Sequence, residues 1–252
     1  KTVWTTSVAG EVIAPAAISR KVAVIRTSDG RIFGLSAEDG KRRWVFQRAT
    51  PSLLLRSEAG VLAIGADVVA GYPNGKLIAL DITDGKLTWE ATVTSPRGAT
   101  ELERIADVAG LPVIDGTNVC AGAFQGKVAC FEITSRNMVW SKDLSTSQGL
   151  GRDVKNIYVV DDSSAVHALD KAAGASVWKQ DKLAYRRLTA PVVVDGEALP
   201  AYDAKVLRAF LVDGRLVSIP AQEKKREAVL RFLLDRCFAE DRVYPEKEVN
   251  QR

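Results

Sequence analysis

Few residues in this chain have the types and spacing that catalysis needs. Its 252 residues include one histidine, His167, and three cysteines, Cys120, Cys130 and Cys237. A histidine-based triad or a zinc site needs more, so no catalytic or metal-ligating residue is assigned and no cofactor is expected. His167 sits in the run Ala165-Val166-His167-Ala168-Leu169 and reads as a packing or surface residue. What remains is binding chemistry. Leu53-Leu54-Leu55-Arg56 stands between the turn formers Thr50-Pro51-Ser52 and Ser57-Glu58-Ala59-Gly60. Leucines beside an arginine on a loop combine apolar area with a guanidinium for a directed ion pair, the composition of an interface hot spot. The plainer alternative is that the leucines start a strand and pack inside, and composition alone slightly favours it. Asp107 follows in a stretch with Glu101 and Glu103. There it serves as a partner contact, as a brace for Arg56, or as an ordinary solvated carboxylate.

The elements that must position these residues are set by a repeat. Trp44, Trp89, Trp140 and Trp178 are each preceded at the same offsets by the same residue types. Fourteen residues before stand Gly30, Gly75, Gly126 and Ser164. Ten before stand the small residues Gly34, Ala79, Cys130 and Ala168, and nine before stand Leu35, Leu80, Phe131 and Leu169. Four before stand Gly40, Gly85 and Gly174, with Arg136 the exception. Asp29-Gly30 and Asn74-Gly75, with Gln125-Gly126 as a weaker version, predict two-residue hairpin turns with positive φ at both positions. Between the turns the strands are short and rich in aliphatic residues. Leu77-Ile78-Ala79-Leu80 is apolar on both faces, as in a sheet covered on both sides. Four-stranded sheets of about forty-five residues, stacked radially, make a β-propeller. The repeated tryptophan is then a wedge between neighbouring sheets. A β-sandwich is the alternative fold.

Hairpin register bears on the cysteines. A two-residue turn at Gln125-Gly126 places Ala121, not Cys120, opposite Cys130, and a shifted register brings the two cysteines together. Free, buried thiols are the expectation. Composition is that of an ordinary globular chain, 46% hydrophobic and 26% charged. No eighteen consecutive apolar residues are present to cross a membrane as a helix. Thirty-five basic against thirty-one acidic residues give a net +4, too mild and dispersed to point to nucleic acid.

The unit Gly75-Lys76-Leu77-Ile78-Ala79-Leu80-Asp81 followed by Asp84-Gly85-Lys86-Leu87-Thr88-Trp89 resembles the quinoprotein-like propeller family. Residues 51–56 and 99–108 are similar, within it, to the BamB-like lipoproteins of outer-membrane β-barrel assembly. The resemblance covers roughly residues 1–196 and implies an all-β fold, an incomplete β-propeller of four-stranded antiparallel blades. About half of an eight-bladed ring is present. The expected domains are 1–198, the partial propeller, and 199–252, a short helical tail. Half a ring leaves an open arc, expected to lose stability unless something covers its faces. The resemblance also implies a non-enzymatic scaffold at the periplasmic face of the outer membrane. Its loops would bind the POTRA domains of the BamA-type subunit through Leu53, Leu55, Arg56 and Asp107. Membrane attachment would come only through a lipid anchor that this chain lacks. A further acid of the family's pattern, two positions after Asp107, is replaced here by Ala109. The family also suggests an alternative, a quinone-dependent dehydrogenase, but no adjacent cysteine pair and no dense acidic loop for calcium accompany it.

The tail has helical character over residues 201–211 and 221–238. In the latter, Val229, Leu230, Leu233, Leu234 and Cys237 share a face. Residues 210–216, 219–220 and 244–250 resemble a small bacterial domain of unknown function found in transcriptional regulators and similar to a winged helix. A regulator-like tail that touches DNA is therefore a second alternative. Eleven basic and nine acidic residues from 201 to 252 leave a net +2, a weak footprint for DNA.

Overall fold

The structure, a computed structural model, describes residues 2–51, 53–55, 60–194 and 197–199, and in the tail residues 211–212, 215–216, 222, 225 and 229. The chain divides into two compact units, Lys1–Ala198 and Leu199–Arg252. In the first unit, strands follow one another in four antiparallel meanders. Blade one holds β1 (Ala17–Ser19), β2 (Val22–Arg26), β3 (Ile32–Ser36) and β4 (Arg42–Phe46). Blade two holds β5 (Leu62–Ile64), β6 (Asp67–Tyr72), β7 (Lys76–Asp81) and β8 (Leu87–Thr92). Blade three holds β9 (Val113–Asp115), β10 (Asn118–Gly122), β11 (Lys127–Glu132) and β12 (Met138–Asp143). Blade four holds β13 (Gly151–Arg152), β14 (Asn156–Val160), β15 (Val166–Asp170) and β16 (Ser176–Gln180). A hairpin of β17 (Val192–Val194) and β18 (Glu197–Leu199) follows.

The two-faced apolar strands explain the stacking. In β6 and β7, Val68, Ala70, Ile78 and Leu80 pack against Val22, Val24, Ile32 and Trp44 of blade one. The alternate residues Val69, Leu77 and Ala79 pack against Val119, Ala121, Ala129 and Phe131 of blade three. Cys120, Val128 and Cys130 continue the series against Ile157, Val159 and Leu169 of blade four. The sheets of blades two and three are thus buried on both faces, and the blades form a propeller arc.

The tryptophans occupy equivalent places. Trp44 lies across from Gly34, Trp89 from Ala79, Trp140 from Cys130 and Trp178 from Ala168, each just before a register shift in the ladder. The indole N–H of Trp44 crosses to the next blade and donates to the Ile82 carbonyl (2.8 Å), and that of Trp140 to the Lys171 carbonyl (2.9 Å). Trp4 does the same to Ala37 (2.9 Å) from the segment before blade one. The rings lie on Gly40, Gly85 and Gly174, where a Cβ would collide with Trp4, Trp44 and Trp140 in turn. These glycines also need a φ of 69–72°. In blade three Arg136 holds that conformation (φ 63°) without a glycine's freedom.

Three expectations need correction. The hairpins are not two-residue turns. Tyr72 pairs with Lys76, and the N–H groups of Thr27, Ala123 and Asp161 donate to the carbonyls of Arg31, Lys127 and Ala165 (2.9 Å each), so three residues form each loop between the second and third strands of a blade. Positive φ falls on Asn74 and Gly75 together, but otherwise on one residue per loop: Gly30, Gln125 or Ser164. The added residue shifts the ladder by one, so Cys120 faces Cys130 and the two form a disulfide rather than free thiols. In the tail, Leu211–Val212 pairs with Arg215–Leu216 as a short hairpin, β19 and β20, across an Asp-Gly signal, where the sequence reading ended a helix. Lys225 and Val229 are helical, and the rest of the expected tail helices, Cys237 included, lies outside the described residues.

Candidate functional site

Residues 53–55 connect blade one to blade two, and residues 105–111 connect blade two to blade three. The two segments meet. Asp107 is buried (6% exposed). One carboxylate oxygen accepts the N–H of Leu55 (2.8 Å) and the other that of Asn74 in the blade-two hairpin (3.2 Å). Its main-chain carbonyl accepts the N–H of Phe124 in the blade-three hairpin (2.9 Å), and the next N–H, of Val108, donates to the Tyr72 carbonyl (3.1 Å). Gly71 allows this close approach, since a Cβ there would meet the Val108 main chain. Asp107 therefore ties the 53–55 loop to blades two and three. The Gln125 amide reinforces the segment when its nitrogen is turned toward the carbonyls of Glu103 and Ile105 (3.0 and 3.1 Å).

Beneath the loop lies a small cavity of about 40 Å³ lined by Arg26, Tyr72, Leu54, Leu55 and Asp107 among others. Arg26 donates to the Gly71 carbonyl (2.7 Å) and stacks on the Tyr72 ring (4.9 Å). Burial lowers the Arg26 pKa, opposed by the nearby Tyr72 and Asp107. Burial pushes the Tyr72 phenol up to about 12, against the pull of Arg26 and Arg48. The phenol donates to the Gly30 carbonyl. This packed base leaves the leucines above it partly open: Leu53 is 45% exposed, and Leu54 and Leu55 are half-buried. Arg56 lies outside the described residues.

Just before the second segment, Glu103 is engaged locally. Glu103 accepts the N–H groups of Ala99 (2.8 Å) and Thr100 (3.1 Å), and these backbone bonds hold its pKa below the usual carboxylate value. His167 and Asp161 form a pair at 2.8 Å beneath the blade-four hairpin. Burial alone would raise the Asp161 pKa. Bonds from His167, Ser163 and the Ala165 amide overcome this and lower it. A wider concavity of 790 Å³ joins Leu55 to the segments that enter and leave blade four: Ala109, Leu111, Gln148, Asp161, Tyr185 and Arg187 all border it. Sequence reasoning did not single out Arg26, Tyr72 or Tyr185. The only signal for the first two was an arginine at the end of β2 and a tyrosine at the end of β6, each beside a turn.

Comparison with known proteins gives this geometry a context. The family model of the outer membrane protein assembly factor BamB matches residues 1–180. BamB of Nitrosomonas eutropha is 44% identical over 200 residues, 79% of this chain and 49% of that protein. BamB of Bordetella pertussis is 39% identical over 218 residues, 85% of this chain and 56% of that protein. The chain thus spans about half the length of these curated relatives. The crystal structure of BamB from Moraxella catarrhalis superposes with a TM-score of 0.72 at 27% identity, over 77% of this chain and 59% of that one. A quinohemoprotein alcohol dehydrogenase from Comamonas testosteroni superposes at 0.55 with 14% identity, over 76% of this chain and 39% of that one, a likeness of fold alone. The tail, residues 215–252, matches a family described only as an uncharacterized protein conserved in bacteria (DUF2087).

Proposed function

Because this chain belongs to the family of the outer membrane protein assembly factor BamB, we propose that it is a non-enzymatic scaffold of outer-membrane protein assembly. Its 53–56 loop binds the POTRA domains of the central barrel-assembly subunit at the periplasmic face of the outer membrane. The observation that carries this reading is the Asp107 strut. A loop with three leucines is held by its main chain to neighbouring blades while Leu53 stays open to solvent. Pre-ordering lowers the entropy lost on docking, and partly exposed aliphatic groups supply the area to bury. Leu53, Leu55 and Arg56 are the contacts, and Asp107 positions Leu55 from below. The Cys120–Cys130 disulfide suits an oxidising compartment such as the periplasm. The dehydrogenase alternative has only distant fold likeness behind it, whereas the curated relatives are named as assembly factors.

The test is calorimetric titration of the full chain with a purified POTRA-domain fragment. Leu55→Ala is expected to weaken binding about tenfold or more, as truncation of a hot-spot residue does. A wild-type chain that does not bind, or a Leu55→Ala chain that binds equally well, overturns the assignment.

A further inference from the structure

Beneath the 53–55 loop, blade one contributes a cation that has no direct ion pair among the described residues. Arg26, partly buried at the end of β2, donates to the Gly71 carbonyl (2.7 Å) and lies over the Tyr72 ring (4.9 Å). The carboxylate whose charge reaches it is that of Asp107. Among the described residues that border the cavity of about 40 Å³, Arg26 and Asp107 are the only two that carry charge. Asp107 has the complementary shortfall. It is 6% exposed, and the described groups that donate to its carboxylate are two neutral main-chain N–H groups, of Leu55 and Asn74. A buried carboxylate with neutral donors alone retains part of its desolvation cost. A cation on the wall of the same cavity offsets some of it.

The main chain joins the same two residues by a second path. Arg26 holds the carbonyl of Gly71, and the next carbonyl, of Tyr72, accepts the Val108 N–H (3.1 Å). Gly71 lies so close to Val108 that a Cβ would collide with the Val108 carbonyl oxygen. Two residues further on, the Asn74 N–H reaches Asp107 (3.2 Å). Residues 71–74 are thus fixed from blade one by Arg26, and they in turn hold Val108 and Asp107. Asp107 then accepts the N–H of Leu55 (2.8 Å). Charge and main chain both lead from Arg26, through Asp107, to the loop.

We propose that Arg26 is a positioning residue of the docking surface, one that keeps the Asp107 carboxylate where it orders the Leu55 main chain. This rests on the reading that the 53–56 loop binds POTRA domains. Amide hydrogen exchange in the full chain reads the order of the loop directly at Leu55. Arg26→Met fills similar space without the charge. It is expected to speed Leu55 exchange about tenfold or more, as loss of a hydrogen bond to a charged group does, while the amides of β6 and β7 keep their wild-type rates. Arg26→Lys returns a cation and is expected to restore most of the protection. In an Asp107→Asn background, Arg26→Met is expected to change Leu55 exchange by less than about twofold, because the group it acts through is gone. In calorimetric titration with the POTRA-domain fragment, Arg26→Met is expected to weaken binding about tenfold, since the loop must then be ordered on docking. Wild-type exchange at Leu55 in Arg26→Met overturns the proposal, since filling the space would then suffice. Faster exchange throughout β6 and β7 also overturns it, because Arg26 would then serve the blade core. So does a tenfold effect that persists in Asp107→Asn, or a released Leu55 with unaltered POTRA affinity. A wild-type chain that binds no POTRA fragment, with Leu55 exchange responding as expected, overturns the docking reading and leaves the link from Arg26 to Leu55 standing.

Discussion

Single residues show most clearly how the repeat works, because one copy departs from it. Gly40, Gly85 and Gly174 combine positive φ with an indole ring lying against the α-carbon. A methyl at Gly85 meets both problems, a left-handed alanine and a collision with Trp44. Gly85→Ala is therefore expected to cost about 2–4 kcal/mol. Arg136 has the same φ region on an exposed turn, closed by the same bond from its N–H to the carbonyl four residues earlier (2.8 Å). Arg136→Gly relieves the backbone and gives back part of the gain as unfolded-state entropy, leaving about 0.5–1 kcal/mol of stabilisation. Urea denaturation of the two variants checks both signs, and equal effects at Gly85 and Arg136 would refute the role given to the indole. The glycine spacing was legible in the sequence because only one residue type tolerates this place well. The role of Asp107 was not. Its carboxylate serves N–H groups far apart in sequence, Leu55 and Asn74, and no local pattern encodes such a bond.

At the scale of the element, strand content followed from alternation and turn chemistry, but register did not. Asn-Gly and Asp-Gly signal positive φ, and Asn74, Gly75 and Gly30 have it. They do not signal how many residues precede them in the loop. Pro73, Ser28 and Phe124 each join the turn, which lengthens it by one and moves every partner across the ladder. That shift creates the Cys120–Cys130 bridge between β10 and β11, both cysteines at most 2% exposed. Closing a loop with a sequence separation of 10 removes unfolded-state entropy equivalent to at most about 3 kcal/mol. Cys120→Ala with Cys130→Ala is accordingly expected to lower stability by about 1–3 kcal/mol. The same protein unfolded with and without reductant should show a matching difference. A reductant-insensitive midpoint would mean that the thiols are not bridged. The backbone at Tyr185 (φ 61°) was illegible for a related reason: nothing in Leu183-Ala184-Tyr185-Arg186-Arg187 marks a left-handed residue, and the conformation is imposed by the hairpin beneath it, where the Ser163 carbonyl accepts the Tyr185 N–H.

The propeller unit is an arc in which each blade completes its neighbour, and the tryptophans measure that completion. Trp44, Trp89 and Trp140 are each 7% exposed, because the following blade covers them. Trp178 has the same ladder position but is 42% exposed, and every residue of β16 is open to solvent. Its ring rests on Tyr158 of its own blade at 5.8 Å. Repeat spacing assigns these four residues one role. Only their surroundings separate them, and surroundings are a property of the arc. Two fluorescence consequences follow from burial. Trp178→Phe is expected to remove the red-shifted emission most open to acrylamide while costing under about 1 kcal/mol, since little burial is lost. Trp44→Phe is expected to leave that emission in place but to cost about 2–4 kcal/mol, through the lost bond to Ile82 and the space left over Gly85. If quenching in Trp178→Phe matched the wild type, the outer face of blade four would be covered in solution, and its tryptophan would be a wedge like the other three.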